Sequence, residues 1–202
     1  MFFRRYITGA TRDMTIRESF SVLAGTHPHN DDLGMLGPLL WGYANLCDHI
    51  TEFGVDDGTS TWAWLHSDFY RKKTIRSYDI YPDCLISEHL ELAEKEGIDW
   101  TFTAQDTLQE GFEIEETDLL FIDTDHQYGQ LLGELRQHGG QARKYIMMHD
   151  TYTYGAKSAN GFHKGLRDSI KEWLEEVNEE KEVWTTDMIF DHSNGLTILR
   201  RL

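Results

Sequence analysis

The sequence predicts an α/β protein built on a mostly parallel sheet with helices on both faces. Strand-like segments alternate with helix-like segments five times along the chain, which is typical of βα units. Residues 118–122 (DLLFI) are a continuous apolar run, as expected for a strand that is covered on both faces. Asn194 and Gly195 separate two closing β segments and are a typical hairpin dipeptide, so an antiparallel pair should end the chain.

The first half of the chain supplies three strands and three helices. Apolar residues at spacings of three and four predict a helix over 36–47, and a strand over 49–53 follows it. After a glycine turn another helix begins, with Thr59 or Ser60 as its predicted N-cap. The remaining elements are a strand over 74–80, a helix over 82–96 with Leu85, Ile86, Leu90 and Ala93 inward and Gly97 as its stop, and a strand over 100–103.

The second half of the chain follows the same alternation. Its predicted elements are a strand over 118–122, a helix over 128–138, a strand over 145–148, a helix over 165–178 and β segments over 183–190 and 196–199. Since no linker or repeat is visible, we expect one domain over 26–202. Residues 1–25 lack a clear period and form an N-terminal extension or arm, which leaves a homo-oligomer open.

The composition narrows the classes of partner. The 202 residues carry a formal net charge of -16, which repels phosphate backbones and anionic lipid, so neither nucleic acid nor a membrane is expected. No apolar run approaches the ~18 residues of a membrane helix. Cys47 and Cys84 have no metal-binding spacing and are expected to be free thiols, which favours a cytoplasmic location.

The turn after the first predicted strand indicates the kind of cofactor. Residues 52–58 (EFGVDDG) lack the G-x-G-x-x-G pattern with which dinucleotide folds hold a pyrophosphate, and they include three acids. Carboxylates repel a pyrophosphate but attract a cation. S-adenosylmethionine has a sulfonium, an ammonium and no phosphate, so the electrostatics favour it over NAD, FAD or ATP.

Further cofactor contacts are expected where the next strands end. Asp79 ends the second predicted strand, where it could accept hydrogen bonds from ribose hydroxyls. Gln105 and Asp106 follow the third strand, where an adenine edge could be read. The residues predicted to contact the cofactor are Glu52, Gly54, Gly58, Ser60, Asp79, Gln105, Asp106 and Asp123. The alternative is that these acids are ordinary turn and cap residues.

Acids and histidines follow the fourth and fifth predicted strands. Asp123 and His126 come after one strand, His149 and Asp150 after the other, and adjacent parallel strands lie about 4.8 Å apart. We therefore predict a divalent metal site, Mg or Mn, formed by Asp123, His149 and Asp150. Such a metal would lower the pKa of a bound hydroxyl, and His126 is the predicted base that removes its proton.

Four segments together resemble one family. ITEFGVDDGTSTWAWL, RSYDIYP, DLLFIDTDHQY and YIMMHDT are similar to class I S-adenosylmethionine-dependent methyltransferases, in particular the metal-dependent sugar and macrolide O-methyltransferases and cephalosporin-hydroxylase-like proteins. The resemblance runs from about residue 36 to the C-terminus. It implies a doubly wound, Rossmann-like, seven-stranded sheet with an antiparallel last strand. It also implies methyl transfer to a hydroxyl of a small acceptor such as a sugar or glycosylated metabolite.

The resemblance supports two of these site residues and departs at a third. In the related sugar methyltransferases an Asp-x-x-His motif after the fourth strand supplies a metal ligand and a base, and Asp123 and His126 match that spacing. Those relatives place two acids after the fifth strand, whereas His149 replaces the first of them here. Because an imidazole is a softer donor than a carboxylate, this change favours Mn, Fe or Zn over Mg, or the absence of a metal. Two other functions remain open: a metal-dependent hydroxylase-like enzyme, and a non-catalytic binding domain on the same fold.

Overall fold

Seven strands form one sheet in the computed structural model, which describes residues 32–179, 181 and 183–202. The strands are β1 (His49–Phe53), β2 (Thr74–Asp79), β3 (Asp99–Ala104), β4 (Thr117–Ile122), β5 (Ala142–His149), β6 (Trp184–Phe190) and β7 (Leu196–Arg201). Their order is β3-β2-β1-β4-β5-β7-β6, in which β1 to β5 are parallel and β7 is antiparallel to both of its neighbours. The predicted sheet is confirmed. The predicted extension over 1–25 lies outside the described residues.

Helices cover both faces of the sheet. They are α1 (Asp32–Ala44), α2 (Thr59–Ser67), α3 (Ser87–Glu96), α4 (Tyr128–His138) and α5 (Leu166–Val177), and a short 3₁₀ turn follows α4 at Gly139–Gln141. Alternate residues of β4 enter different cores: Leu119 and Phe121 pack with α1, α2 and α3, whereas Leu120 and Ile122 pack with α4 and α5. The apolar run over 118–122 is therefore a strand buried on both faces, as predicted. None of the helices in the described part of the chain is long and apolar enough to cross a membrane.

Two predictions about helix starts are wrong. The helix predicted over 82–96 begins only at Ser87, because the preceding residues form a loop in which the Leu85 amide donates to the Asp56 carbonyl at 3.0 Å. Leu85 is consequently 61% exposed rather than inward, and Leu90 is 45% exposed. At the start of α2, the capping position belongs to Gly58 in a left-handed conformation, since Ser60 uses its hydroxyl elsewhere.

The closing hairpin turns where the sequence predicts it. Ser193, Asn194 and Gly195 all have positive φ, at 53°, 60° and 95°. Only glycine adopts such φ values readily, and asparagine tolerates them better than most residues. The turn brings Ser193 and Asn194 against the carboxyl end of β5, at the edge of the sheet where the site residues gather.

Candidate active site

A cavity of about 1120 Å³ opens at the carboxyl ends of β1, β2, β4 and β5. In open α/β sheets ligands bind at this edge, where the strand order reverses. The volume exceeds the roughly 300–1,000 Å³ of typical single-ligand pockets, so a cofactor and a small acceptor could share it. A separate, more open groove of about 530 Å³ lies between α5 and the β6–β7 hairpin and contains none of the predicted site residues.

Gly54 forms the tightest point of the cavity wall. Its φ is 83°, and a Cβ added to it would lie 1.9 Å from the carbonyl oxygen of Asp123. The backbone of the first turn thus contacts the end of β4 directly, and only glycine fits at this contact. Gly58 also has a positive φ, but it lies below the cavity, where a Cβ would meet the His89 ring at 2.5 Å. Of the two glycines, only Gly54 lines the cavity.

Glu52 lies beneath the turn and does not line the cavity. Its carboxylate accepts four hydrogen bonds, from Ser60 Oγ at 2.6 Å, Thr61 Oγ1 at 2.9 Å, Trp64 Nε1 at 2.8 Å and Ser77 Oγ at 2.6 Å. Burial raises the pKa of Glu52, and these hydrogen bonds oppose that shift. The geometry assigns Glu52 and Ser60, both predicted to contact the cofactor, to the support of the turn.

Asp79 lines the cavity and also fixes the turn. Its Oδ2 accepts hydrogen bonds from the amides of Val55 at 2.8 Å and Asp56 at 3.2 Å, and its Oδ1 accepts one from the Tyr81 amide at 2.9 Å. Each carboxylate oxygen has two lone pairs, so Oδ1 keeps one for a ligand hydroxyl. The predicted ribose contact is compatible with this arrangement.

Gln105 and Asp106 lie on the rim of the same cavity, beyond β3. Asp106 Oδ1 accepts the Leu108 amide at 2.9 Å, while Gln105 Nε2 donates to Gln109 at 2.8 Å. The structure therefore brings five of the eight predicted cofactor residues to the cavity wall, namely Gly54, Asp79, Gln105, Asp106 and Asp123, whereas Glu52, Gly58 and Ser60 do not line it.

Two carboxylates and two imidazoles converge at the ends of β4 and β5. His126 Nε2 lies 2.5 Å from Asp150 Oδ2 and 3.7 Å from Asp123 Oδ1. From the other side, His149 Nδ1 lies 3.3 Å from Asp123 Oδ2 and 3.7 Å from Asp150 Oδ2. Ligand atoms of Asp123, His126 and Asp150 lie within 4.8 Å of one another, close enough to hold a metal ion, so this group contains His126 where the sequence predicts His149 as the third ligand.

Two buried polar atoms in this cluster have no hydrogen-bond partner among the described residues. They are His149 Nδ1 and Asp150 Oδ1, and both residues are at least 95% buried. Burying an unpaired polar atom costs about 1–3 kcal/mol, and a ligand bound between these two atoms would remove that cost. Carboxylates with an imidazole form a donor set that suits Mn, Fe or Zn. The residues present therefore fit a divalent metal.

The imidazoles and carboxylates of the cluster shift the pKa values of Asp123 and His126 in opposite directions. Burial by itself would raise the pKa of Asp123, but the imidazoles of His126 and His149 outweigh it and lower that pKa to about 2. Hydrogen bonds to Asp123 and Asp150 raise the pKa of His126 to about 10. His126 is thus an imidazolium at neutral pH and can accept a proton only when another cation offsets the two carboxylates.

Tyr154 and Glu134 support the site from outside the cavity lining, and Glu134 is the one that sequence reasoning missed. The Tyr154 ring stacks on His126 with centroids 4.7 Å apart and planes at 4°. Glu134 is buried below the cavity and accepts hydrogen bonds from Thr107 at 2.6 Å and Thr124 at 2.8 Å, thereby joining the loops after β3 and β4. Glu134 follows Leu131 by three residues, which places it on the apolar side of α4, and this spacing is the signal that could have revealed it.

Comparisons with solved structures support the assignment of the fold. No protein-family model matches the sequence, and no curated protein matches it. Among solved structures, a Podospora anserina methyltransferase bound to SAH aligns with a TM-score of 0.61 at 17% identity, covering 93% of this chain and 87% of that one. A Bacillus cereus O-methyltransferase in complex with SAH has a TM-score of 0.60 at 17% identity, with 96% and 93% covered.

A third solved structure, of a Corynebacterium glutamicum protein, aligns with a TM-score of 0.62 at 14% identity and covers 98% of this chain and 94% of that one. At these identities the similarity concerns the fold. The chain has the class I methyltransferase fold, with its seven-stranded sheet and antiparallel β7.

Proposed function

We propose that the protein is an S-adenosylmethionine-dependent O-methyltransferase that acts on a hydroxyl of a small acceptor such as a sugar or glycosylated metabolite. The observation that carries this proposal is the meeting of Asp123, His126, His149 and Asp150 beside the Gly54 turn, in one cavity of a class I methyltransferase fold. The two neighbours described with SAH support the choice of cofactor.

The acidic turn suits a cationic cofactor. Asp56 and Asp57 line the cavity next to Gly54, and burial together with the neighbouring carboxylates of Asp57, Asp79 and Asp123 raises the pKa of Asp56. This is the response of acids that lack a positive partner. A sulfonium and an ammonium placed here would relieve that repulsion, whereas a pyrophosphate would increase it.

The roles of the side chains follow from their contacts. Asp123, His149 and Asp150 would hold the divalent metal, which when bound supplies a Lewis acid that lowers the pKa of a hydroxyl. His126 is the base, and the proton arrives at Nε2, where Asp150 Oδ2 stabilises the imidazolium. Stacking by Tyr154 keeps the His126 ring oriented for this transfer.

Titration calorimetry tests the proposal directly. Purified protein should bind S-adenosylmethionine in the micromolar range and should bind Mn²⁺ or Mg²⁺ independently. Asp150→Ala should remove metal binding and leave cofactor affinity within about twofold, because Asp150 lies at the metal end of the cavity. The exposed Glu91→Ala on α3 is the matched control. Absence of cofactor binding with and without metal would remove the proposal.

A second candidate function is supported by the histidine content of the cluster. Two imidazoles beside carboxylates resemble the donor set with which non-haem iron enzymes activate oxygen. Iron-loaded protein would then consume oxygen in the presence of an organic substrate. Anaerobic loading with Fe²⁺, followed by absorption spectroscopy on admission of oxygen, separates this function from methyl transfer, which leaves the iron spectrum unchanged.

A further inference from the structure

The wall of the active-site cavity is negatively charged to an unusual degree. Eight aspartates line it, and among the described lining residues there is no lysine or arginine. His126 and His149 are the only lining side chains in the described chain that can become cationic, and both already face Asp123 and Asp150. A divalent cation and a singly charged cofactor would together offset about three of the eight charges.

Three acids at the cofactor end accept hydrogen bonds from neutral groups of the protein. Asp57 accepts from Thr59, Asp79 accepts three backbone amides, and Asp106 accepts the Leu108 amide. The metal end differs, because Asp125 is exposed on the rim with Gln127 as its side-chain partner. Asp150 Oδ1, buried and without a partner, points to a ligand at the same end. The cationic cofactor would face the acidic turn, whereas Asp125 would face an approaching acceptor.

We infer that the acceptor is an uncharged or positively charged hydroxyl compound, and that Asp125 is the specificity-determining acid that rejects anions. This inference rests on the proposed methyl-transfer function. An anion about 6 Å from one uncompensated carboxylate loses roughly a hundredfold in affinity at the effective dielectric of ~20 found near protein surfaces. Phosphorylated sugars and coenzyme A thioesters would find no lysine or arginine on the described wall, whereas a protonated amino group would find a carboxylate.

Three catechols of one shape and different charge test the inference: dopamine (cationic), 4-methylcatechol (neutral) and 3,4-dihydroxybenzoate (anionic). Each offers two adjacent hydroxyls to a metal. Their affinities are measured by calorimetry on protein already saturated with SAH and Mn²⁺. We expect dopamine to bind at least as tightly as 4-methylcatechol and the benzoate to bind at least tenfold more weakly. Raising the salt concentration should narrow the difference.

Asp125→Asn should reduce the gap in affinity, defined as the affinity for dopamine divided by that for the benzoate, at least threefold. Glu91→Gln removes one negative charge outside the cavity and should leave the gap unchanged. Benzoate binding equal to or tighter than that of 4-methylcatechol overturns the inference, as does a gap that Asp125→Asn leaves intact. Binding of none of the catechols to protein that holds SAH and Mn²⁺ also overturns it, since no acceptor volume then adjoins the metal. Failure to bind SAH or Mn²⁺ in the first step instead refutes the proposed function.

Discussion

The Nε2 atom of His149 lies 2.9 Å from the carbonyl oxygen of Ser193, in the turn of the β6–β7 hairpin. A carbonyl can only accept, so Nε2 carries the proton and Nδ1 is the atom that faces Asp123 and Asp150. Histidines that bind metals commonly donate their other ring nitrogen to such a carbonyl, which fixes the tautomer. The hairpin thus directs Nδ1 of His149 toward the carboxylates of Asp123 and Asp150, where a divalent metal would also be bound.

His149→Ala should weaken Mn²⁺ binding by roughly tenfold or more, because the variant loses a nitrogen ligand that the Ser193 carbonyl holds in place. S-adenosylmethionine affinity should change less than about twofold, since Gly54 and Asp79 are untouched. Calorimetry with each ligand measures both effects. His163→Ala replaces an exposed histidine and serves as the control. Equal losses of metal and cofactor affinity in His149→Ala would show that the residue supports the cavity as a whole.

Glu52→Gln should destabilise the fold by about 3 kcal/mol, because the Gln amide nitrogen that replaces one carboxylate oxygen cannot accept, and two of the four buried donors lose their acceptor. Urea denaturation measures the change. Glu91→Gln alters an exposed acid on α3 and should stay within about 0.5 kcal/mol of the parent. An unchanged midpoint for Glu52→Gln would mean that the residue does not hold the turn in place.

Gly54→Ala should cost about 3 kcal/mol or more and should abolish cofactor binding, since the new Cβ would lie 1.9 Å from the Asp123 carbonyl at a φ of 83°. Thermal denaturation and calorimetry measure the two effects. Gly42→Ala, in α1 with nothing within 4 Å of the added Cβ, is the matched control. Its stability should stay equal or rise by up to about 1 kcal/mol. Normal cofactor affinity in Gly54→Ala would contradict close contact between the turn and β4.

The strand-end motifs were predictable from the sequence because a parallel sheet brings its carboxyl ends together whatever the details of packing. That rule predicts Asp79, Asp123 and Asp150 at one edge of the sheet, and all three line the cavity. The role of Glu52 was not predictable, since it depends on Ser60 and three other donors that only the folded chain brings together. The late start of α3 was missed for the same reason: a tertiary hydrogen bond from Leu85 determines it.

The buried carboxyl of Glu134 should make the free energy of unfolding decrease as the pH rises. Burial raises the pKa of its carboxyl from 4.5 in the unfolded chain to about 7, and the hydrogen bonds from Thr107, Gln130 and Thr124 oppose that shift. A raised carboxyl pKa means that the folded state binds the proton more tightly, so this contribution is complete below pH 4.5 and is lost as the pH approaches 7. The loss amounts to about 3 kcal/mol.

Glu134→Gln keeps the shape of the side chain but cannot ionise, so the variant should gain stability relative to the parent by up to about 3 kcal/mol between pH 5 and pH 8.5. Urea denaturation of both proteins at the two pH values measures this difference and cancels the titration of all other groups. Glu110→Gln, an exposed acid in the loop after β3, should show no such pH-dependent gain. If the two proteins differ in the free energy of unfolding by the same amount at both pH values, the carboxyl of Glu134 ionises at its ordinary pKa in the folded chain. Its hydrogen bonds to Thr107 and Thr124 would then not depend on a bound proton.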